Sequence, residues 1–542
     1  MIQLSGHIVD VVAGRIYDGI LTLEDGLIRR IEPADVVDDQ YLVPGLIDAH
    51  VHIESSMMLP SEFARLALPH GTVACVSDPH EIANVCGIAG IDYLIANSQS
   101  VPLKFFFGAP SCVPATAFET AGATLDAEAV KALMQRDDIH YLGEMMNFPG
   151  VLFGDEQVLL KLAAALEVGK PIDGHAPDLS GDGLRTYVNA GISTDHECMT
   201  LNEALEKIAL GMRILIREGS AARNFDTLIP LMASHPDRIM FCSDDKHPDD
   251  LLRNGHINSL VLRSLQLGHD PIDVLRACSL NPVRHYNLNV GLLQPGDRAD
   301  LLVVDNLTEF NILSTWIEGK KVAERGSALL DRITPQPPIN AFHATPITPA
   351  DLRIEPTGSL INVIVAEDGQ LFTRCEQAPP LVVDNNLVSD TQRDILKLVV
   401  YNRYQPATPA IGFIKNVGLK RGALVSTVAH DSHNIVAVGT SDEILAAAIN
   451  RIIDSKGGIL AIDETEDCLL PLPVGGILSD ADGLSVAKGY EQADTLAKAF
   501  GSPLRAPFMT LAFMSLACIP EIKLTDKGLF EITKLSYTDL QC

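Results

Sequence analysis

The chain lacks any C-x-x-C pair, and its ten cysteines are scattered. A disulfide framework is therefore not expected at this size, and reduced thiols in a cytoplasmic protein fit better. No apolar stretch approaches the roughly 20 residues that a membrane span requires. The N-terminal run MIQLSGHIVDVVAG has no basic segment followed by an apolar one, so no signal peptide is expected. Positive charge is scarce: 41 Lys and Arg face 70 Asp and Glu, a formal net charge of −29. That balance argues against a nucleic-acid or anionic-membrane partner and reads as a self-repelling, soluble surface. There is no internal repeat and no low-complexity tract.

What remains is a 542-residue chain, 47% hydrophobic, too long for one core and expected to form two or three domains. Residues 1–43 alternate in short strand-like pieces punctuated by Gly14, Gly19 and Gly26, the pattern of a small antiparallel β unit. From 44 to 290, short apolar runs alternate with helical segments. Such alternation means βα units and a parallel sheet, and about eight runs in roughly 250 residues predict a (β/α)8 barrel of TIM type. Residues 291–331 return to short strands and turns that can complete a flanking β domain with 1–43. Residues 332–349, rich in proline, read as a linker. Residues 350–542 mix strands and helices into a separate C-terminal α/β domain.

A barrel of this kind gathers its chemistry at the C-terminal ends of its strands. The run Tyr41 to Pro60 carries Asp48, His50 and His52 at alternate positions, which on a strand share a face. Other run ends carry Glu144 in LGEMMN, His175 in DGHAP, His196 in STDHE and Asp244 in FCSDD. Each alone is weak evidence. A lone histidine is more often structural than a ligand, and a lone carboxylate at a strand end is often a helix cap. Together, four histidines and two carboxylates at run ends in barrel order predict a metal centre. Glu197 follows His196 and is expected on the opposite strand face, outside the ligand set.

The segment PGLIDAHVH, with a His after the fifth run, a His after the sixth and an Asp after the eighth, resembles the amidohydrolase superfamily over about 1–330. HIESSMMLP, VSDPHEIAN, GEMMNFPGV, DGHAP, STDHE and CSDD are similar to the motifs of the bacterial adenine deaminases within it. AHDSHNIVAVG (429–439), LPLPVGGILSD (470–480) and the run 507–532 resemble that family's extra domain. The resemblance implies a binuclear centre of Mn²⁺ or Fe²⁺, with Zn²⁺ also compatible with a thiolate-free N/O donor set. It implies that His50, His52 and Asp244 bind one metal, that His175 and His196 bind the other, and that Glu144 bridges them. Asp245 competes with Asp244 for the ligand role, and the resemblance favours the first. Many binuclear amidohydrolases bridge with a carboxylated lysine, but Lys104 precedes its run and Lys161 sits in a helical pattern. The zinc deaminases with a P-C-x-x-C signature are a different design and are excluded.

The implied activity is hydrolytic deamination of adenine to hypoxanthine and ammonia, a purine-salvage step, by attack of a metal-bound hydroxide on C6. Asp244 would relay the proton, and Glu144 would either protonate N1 or serve only the metals. Asp78, His80 and Glu81 in SDPHE are candidates for substrate binding or, equally, a capped loop. His430, Asp431, His433 and Asn434 read as a hydrogen-bonded turn, with a further metal or a reach over the barrel mouth as the alternatives. Gly475 and Gly476 read as a turn. Two other readings compete: another binuclear amidohydrolase acting on a cyclic amide or different nucleobase, and a non-catalytic protein that has kept the barrel. Homodimerisation is compatible with the sequence but has no segment of its own.

Overall fold

A computed structural model describes residues 1–220 and 222–542. The chain resolves into two compact units. The first comprises 1–79, 93–111 and 126–334, and the second 80–92, 112–125 and 335–542. Two short segments within the stretch 44–290, 80–92 and 112–125, thus group with the C-terminal residues.

The first unit begins with β1 (Ile2–Asp10), β2 (Arg15–Glu24), β3 (Leu27–Pro33) and β4 (Tyr41–Pro44). They join β13 (Leu301–Val304), β14 (Ile312–Ile317), β15 (Lys320–Glu324) and β16 (Ser327–Ala328) in one eight-stranded sheet. Its two flanks meet where β4 runs parallel to β1 and antiparallel to β13. Ile8, Leu21, Leu42, Leu301 and Trp316 form its core.

The apolar run around Val43 and Leu46 is not one strand. Gly45 separates β4 from β5 (Leu46–Val51), and a Cβ there would lie 2.3 Å from the Val73 side chain. The chain leaves one sheet and enters the next at the one residue slim enough for this approach.

Parallel strands then follow in chain order: β5, β6 (Thr72–Ser77), β7 (Lys104–Ala109), β8 (Ile139–Met145) and β9 (Ile172–Gly174) in a five-stranded sheet. A three-stranded sheet holds β10 (Thr194–Asp195), β11 (Arg213–Arg217) and β12 (Ile239–Cys242). The sheets are linked at one side by Ser193 N–H donating to Ile172 O at 3.0 Å, and at the other by a parallel bridge between Val51 and Asp244. The strands are buried on both faces, as helix-covered parallel strands must be. This is a curled, TIM-type arrangement.

The second unit is built on an eight-stranded sheet whose strands lie in the order Thr373–Ala378, Ile361–Ala366, Ala410–Lys415, Ile395–Tyr401, Ile435–Gly439, Ala423–Ser426, Gly458–Ile462 and Asp467–Pro471. The helix Asp442–Ser455 is capped by Ser441, whose side chain accepts from Ile444 N–H. It lays Leu445, Ala448, Ile449 and Ile452 against Val399, Val425 and Ala437.

Candidate metal centre

All six candidate ligands lie at the C-terminal ends of parallel strands of the first unit, and their side chains converge. His50 is in β5 and His52 just past it; Glu144 is near the end of β8; His175 follows β9, His196 follows β10, and Asp244 lies two residues past β12. His52 Nε2 is 3.1 Å from His50 Nε2 and 3.1 Å from Asp244 Oδ1. Glu144 Oε2 is 2.9 Å from His175 Nδ1 and 3.0 Å from His196 Nε2, and Glu144 Oε1 is 3.6 Å from His52 Nε2. The His50 ring stacks on His196 with centroids 4.2 Å apart. Glu144 therefore stands between two groups, His50–His52–Asp244 and His175–His196.

The donor chemistry suits divalent metal. Ligand atoms of His50, His52 and Glu144 lie within 4.8 Å of one another, as do those of Glu144, His175 and His196. Two imidazole nitrogens facing each other at 3.1 Å require a proton or a cation between them. Burial, with His196 and His52 beside it, pushes the His50 pKa well down, so this ring favours the neutral form that can donate a lone pair. Burial works to raise the Glu144 carboxyl, but His175 and His196 hold it well below the usual range. Asp244 has the same opposition, with Arg217 as the strongest lowering charge. His175 is pushed up to about 9, with Glu144 and Glu197 overriding its burial.

The surrounding residues fix the ligands. Asp244 N–H donates to His50 O at 3.0 Å, and His52 N–H donates to Asp244 O at 3.3 Å, so the backbones of the first group are tied to each other. His52 Nδ1 lies 3.1 Å from the Asp78 carbonyl, a partner that leaves Nε2 for the centre. The Asp78 carboxylate accepts Glu144 N–H at 2.8 Å. Tyr187 O–H donates to Met145 O at 2.8 Å and accepts His175 N–H at 3.0 Å. Asp173 accepts from Thr194 Oγ1 and Tyr286 O–H, and burial pushes its carboxyl up to about 7.

Some assignments change in three dimensions. Asp48 shares alternation with His50 and His52, but its carboxylate accepts from Ser243 N–H at 3.0 Å, contacts Ser243 Oγ, and lies 2.7 Å from His256 Nε2. It braces the ends of β5 and β12. Glu197 is not turned away from the centre. Its Oε1 is 3.6 Å from His175 Nδ1 and 3.5 Å from His196 Nε2. Strand alternation does not extend past Asp195, where β10 ends. Asp245 accepts from Ser55 Oγ at 2.5 Å, and it also lies within ligand distance of His52 and Asp244. Lys161 Nζ donates to Ser111 O from the helix Glu156–Glu167, and Lys104 Nζ donates to Asp300, so neither stands between the two groups as Glu144 does.

Sequence reasoning missed Arg217, whose guanidinium binds both Asp244 and Glu197. Its signal was faint: an Arg closing the short run RILIR, which another Arg opens. In the second unit, Glu81 receives His430 Nδ1 at 2.5 Å on one oxygen and His433 Nε2 on the other. The HDSHN segment is thus a bonded turn organised on a carboxylate, and His80 Nε2 lies 3.6 Å from the same Glu81.

The parallel strands and the buried His and carboxylate cluster define a metal-dependent hydrolase of the amidohydrolase class, and residues 41–322 match the amidohydrolase family. Residues 370–536 match the adenine deaminase C-terminal domain. The chain is 52% identical to an adenine deaminase of Methanosarcina mazei over 100% of this chain and 99% of that protein. It is 51% identical to one of Salinibacter ruber over 99% of this chain and 98% of that protein. It is 44% identical to one of Borreliella burgdorferi, over 99% and 100% respectively. The chain belongs to the adenine deaminase family. The family implies a divalent metal centre and a small-molecule substrate.

Proposed function

We propose that the chain hydrolyses adenine to hypoxanthine and ammonia at the convergence of His50, His52, Glu144, His175, His196 and Asp244. The observation that carries this reading is that convergence, in a chain similar over its whole length to relatives named adenine deaminase. The six side chains would hold two divalent cations, with His50, His52 and Asp244 on one, His175 and His196 on the other, and Glu144 between. Bound there, the cations would lower the pKa of water towards neutrality. The N/O donor set, free of thiolate, favours Mn²⁺ or Fe²⁺, with Zn²⁺ also accommodated.

Asp244 presents Oδ1 to the centre while Arg217 engages Oδ2. In this reading Oδ1 takes the proton from water as oxygen attacks C6, and returns it to the departing nitrogen. Glu144, ionised at rest, relays the second proton of that water from the C6 oxygen to N1, so that ammonia leaves with the proton from Asp244 and hypoxanthine keeps N1–H and C6=O. Asp78 anchors Glu144 through its backbone, and Asp78, His80 and Glu81 are proposed as substrate-binding residues. The finer fold reading, a (β/α)8 barrel with a flanking β domain and a C-terminal domain, belongs to the same proposal. So does a cytoplasmic setting, in keeping with ten cysteines scattered along the chain without a C-x-x-C pair.

The test is adenine turnover by protein loaded with Mn²⁺, following hypoxanthine and ammonia and counting metal. Turnover that needs about two metals per chain and vanishes in His50→Ala supports the reading. A folded, fully metallated protein that leaves adenine untouched overturns it and directs attention to cyclic amides.

A further inference from the structure

The geometry points to Lys207 as the residue that positions His175 and His196 as a pair, and so decides whether the second of two metals is held. This rests on the binuclear reading above.

The two metal-binding groups are anchored differently. The strand carrying His50 has six residues, and its end is laced by backbone hydrogen bonds to Asp244. The strands leading to His175 and His196 have only three and two residues. Their paired registers end at Gly174 and Asp195, one residue short of each histidine. Side chains hold this part of the rim in place of a ladder.

Lys207 is at the centre of that arrangement. It is fully buried on the helix Leu201–Ala209. Its ammonium donates to Ala176 O at 2.7 Å, to Glu203 Oε1 at 2.7 Å, and to Asp195. Ala176 follows His175, and Asp195 precedes His196, so one cation joins the chain on the far side of one ligand to the near side of the other. The carboxylates extend the clamp. Asp195 Oδ1 accepts Ala176 N–H at 3.1 Å; Glu203 accepts Asp178 N–H at 3.1 Å and Met199 N–H at 3.0 Å.

Removing the ammonium would leave two carboxylates buried together without their cation, a strongly unfavourable arrangement that the loops relieve by moving apart. The movement falls on His175 and His196, whose ring centroids are 5.4 Å apart. The His50–His52–Asp244 group keeps its own backbone ties. None of the three oxygens that the Lys207 ammonium engages belongs to a candidate ligand side chain, so its role is to position.

The experiment is stepwise loading of metal-free, full-length protein with Mn²⁺ against a competing chelator, with bound metal counted and folding followed by circular dichroism. Lys207→Met is compared with wild type. The expected result is one metal bound with unchanged affinity and the other weakened roughly ten- to a hundredfold, the effect typical of losing a ligand's supporting partner. Glu203→Gln, which keeps the ammonium and alters one arm of the clamp, should weaken the same metal by less. Two metals bound by wild type and by folded Lys207→Met with equal affinity overturn the role of Lys207, as does parallel weakening of both metals. If Lys207→Met does not fold, Glu203→Gln decides: selective weakening supports the inference, and unchanged binding overturns it. A wild-type chain that takes fewer than two metals fails earlier, at the binuclear reading itself.

Discussion

The Arg217 guanidinium lies 2.5 Å from Oδ2 of Asp244 and grips Glu197 through both terminal nitrogens, at 2.5 and 3.0 Å. All three side chains are buried. The pairing leaves Asp244 Oδ1 facing His52, so the arginine selects which carboxylate oxygen is presented to the centre. Arg217→Met should lower kcat on the order of a hundredfold, comparable to impairing a general acid–base group. Lysine at this place cannot bind two carboxylates in the same fork, so Arg217→Lys should restore only a fraction. Steady-state kinetics on protein of measured metal content provide the check; wild-type kcat in a fully metallated Arg217→Met protein would refute the role.

Glu144 separates into two functions by one substitution. Glutamine keeps its shape and one carbonyl oxygen but carries no charge and cannot deliver a carboxyl proton. If Glu144 protonates N1, Glu144→Gln with full metal occupancy should lose at least about a hundredfold in kcat. Full occupancy with unchanged turnover would leave Glu144 a purely structural bridge. Metal counting on the same sample keeps the two outcomes apart.

Chelation should abolish turnover and lower the melting temperature together. The imidazoles and carboxylates that converge at the centre are buried, and cations bound only by the folded state add about 2.7 kcal/mol when present at a hundredfold excess over their dissociation constant. The expected fall is on the order of 5 °C or more. Scanning calorimetry before and after restoring Mn²⁺ measures it, and a melting temperature indifferent to metal would contradict a folded-state metal site.

Glu119 predicts a pH dependence in the second unit. Burial, with Asp431 beside it, pushes its carboxyl from 4.5 up to about 8. Between those values the folded state holds a proton that the unfolded state has released. Stability from this group is therefore fully present below about pH 4.5 and declines as pH rises to about 8, by at most about 1.4 kcal/mol per unit. Glu119→Gln removes the group that must ionise. Its melting temperature relative to wild type should rise steadily from pH 5 to pH 8. A pH-independent difference between the two would rule this out.

Much of the site was legible because strand-end chemistry is local in sequence. His50, His52, Glu144, His175, His196 and Asp244 each close an apolar run, and TIM-type topology brings such ends together. The family motifs added the substrate. Glu197 was misread because alternation holds only while the strand continues, and β10 ends at Asp195. Arg217 and Lys207 gave little signal, since a lone basic residue in a chain is ordinarily a solvated one.

The sequence by itself determined the alternation of strands and helices, the residue types of the candidate ligands and their order around the sheet, because these follow from hydrophobic period and residue chemistry. Tertiary structure alone decided that Asp48 braces strands, that Glu81 is engaged by His430 and His433, and that two buried cations, Arg217 and Lys207, organise the carboxylates around the ligands. Those partners lie from a few to several hundred residues apart in the chain. Which charge neutralises which is fixed by distance and burial, and neither can be read from spacing along the backbone.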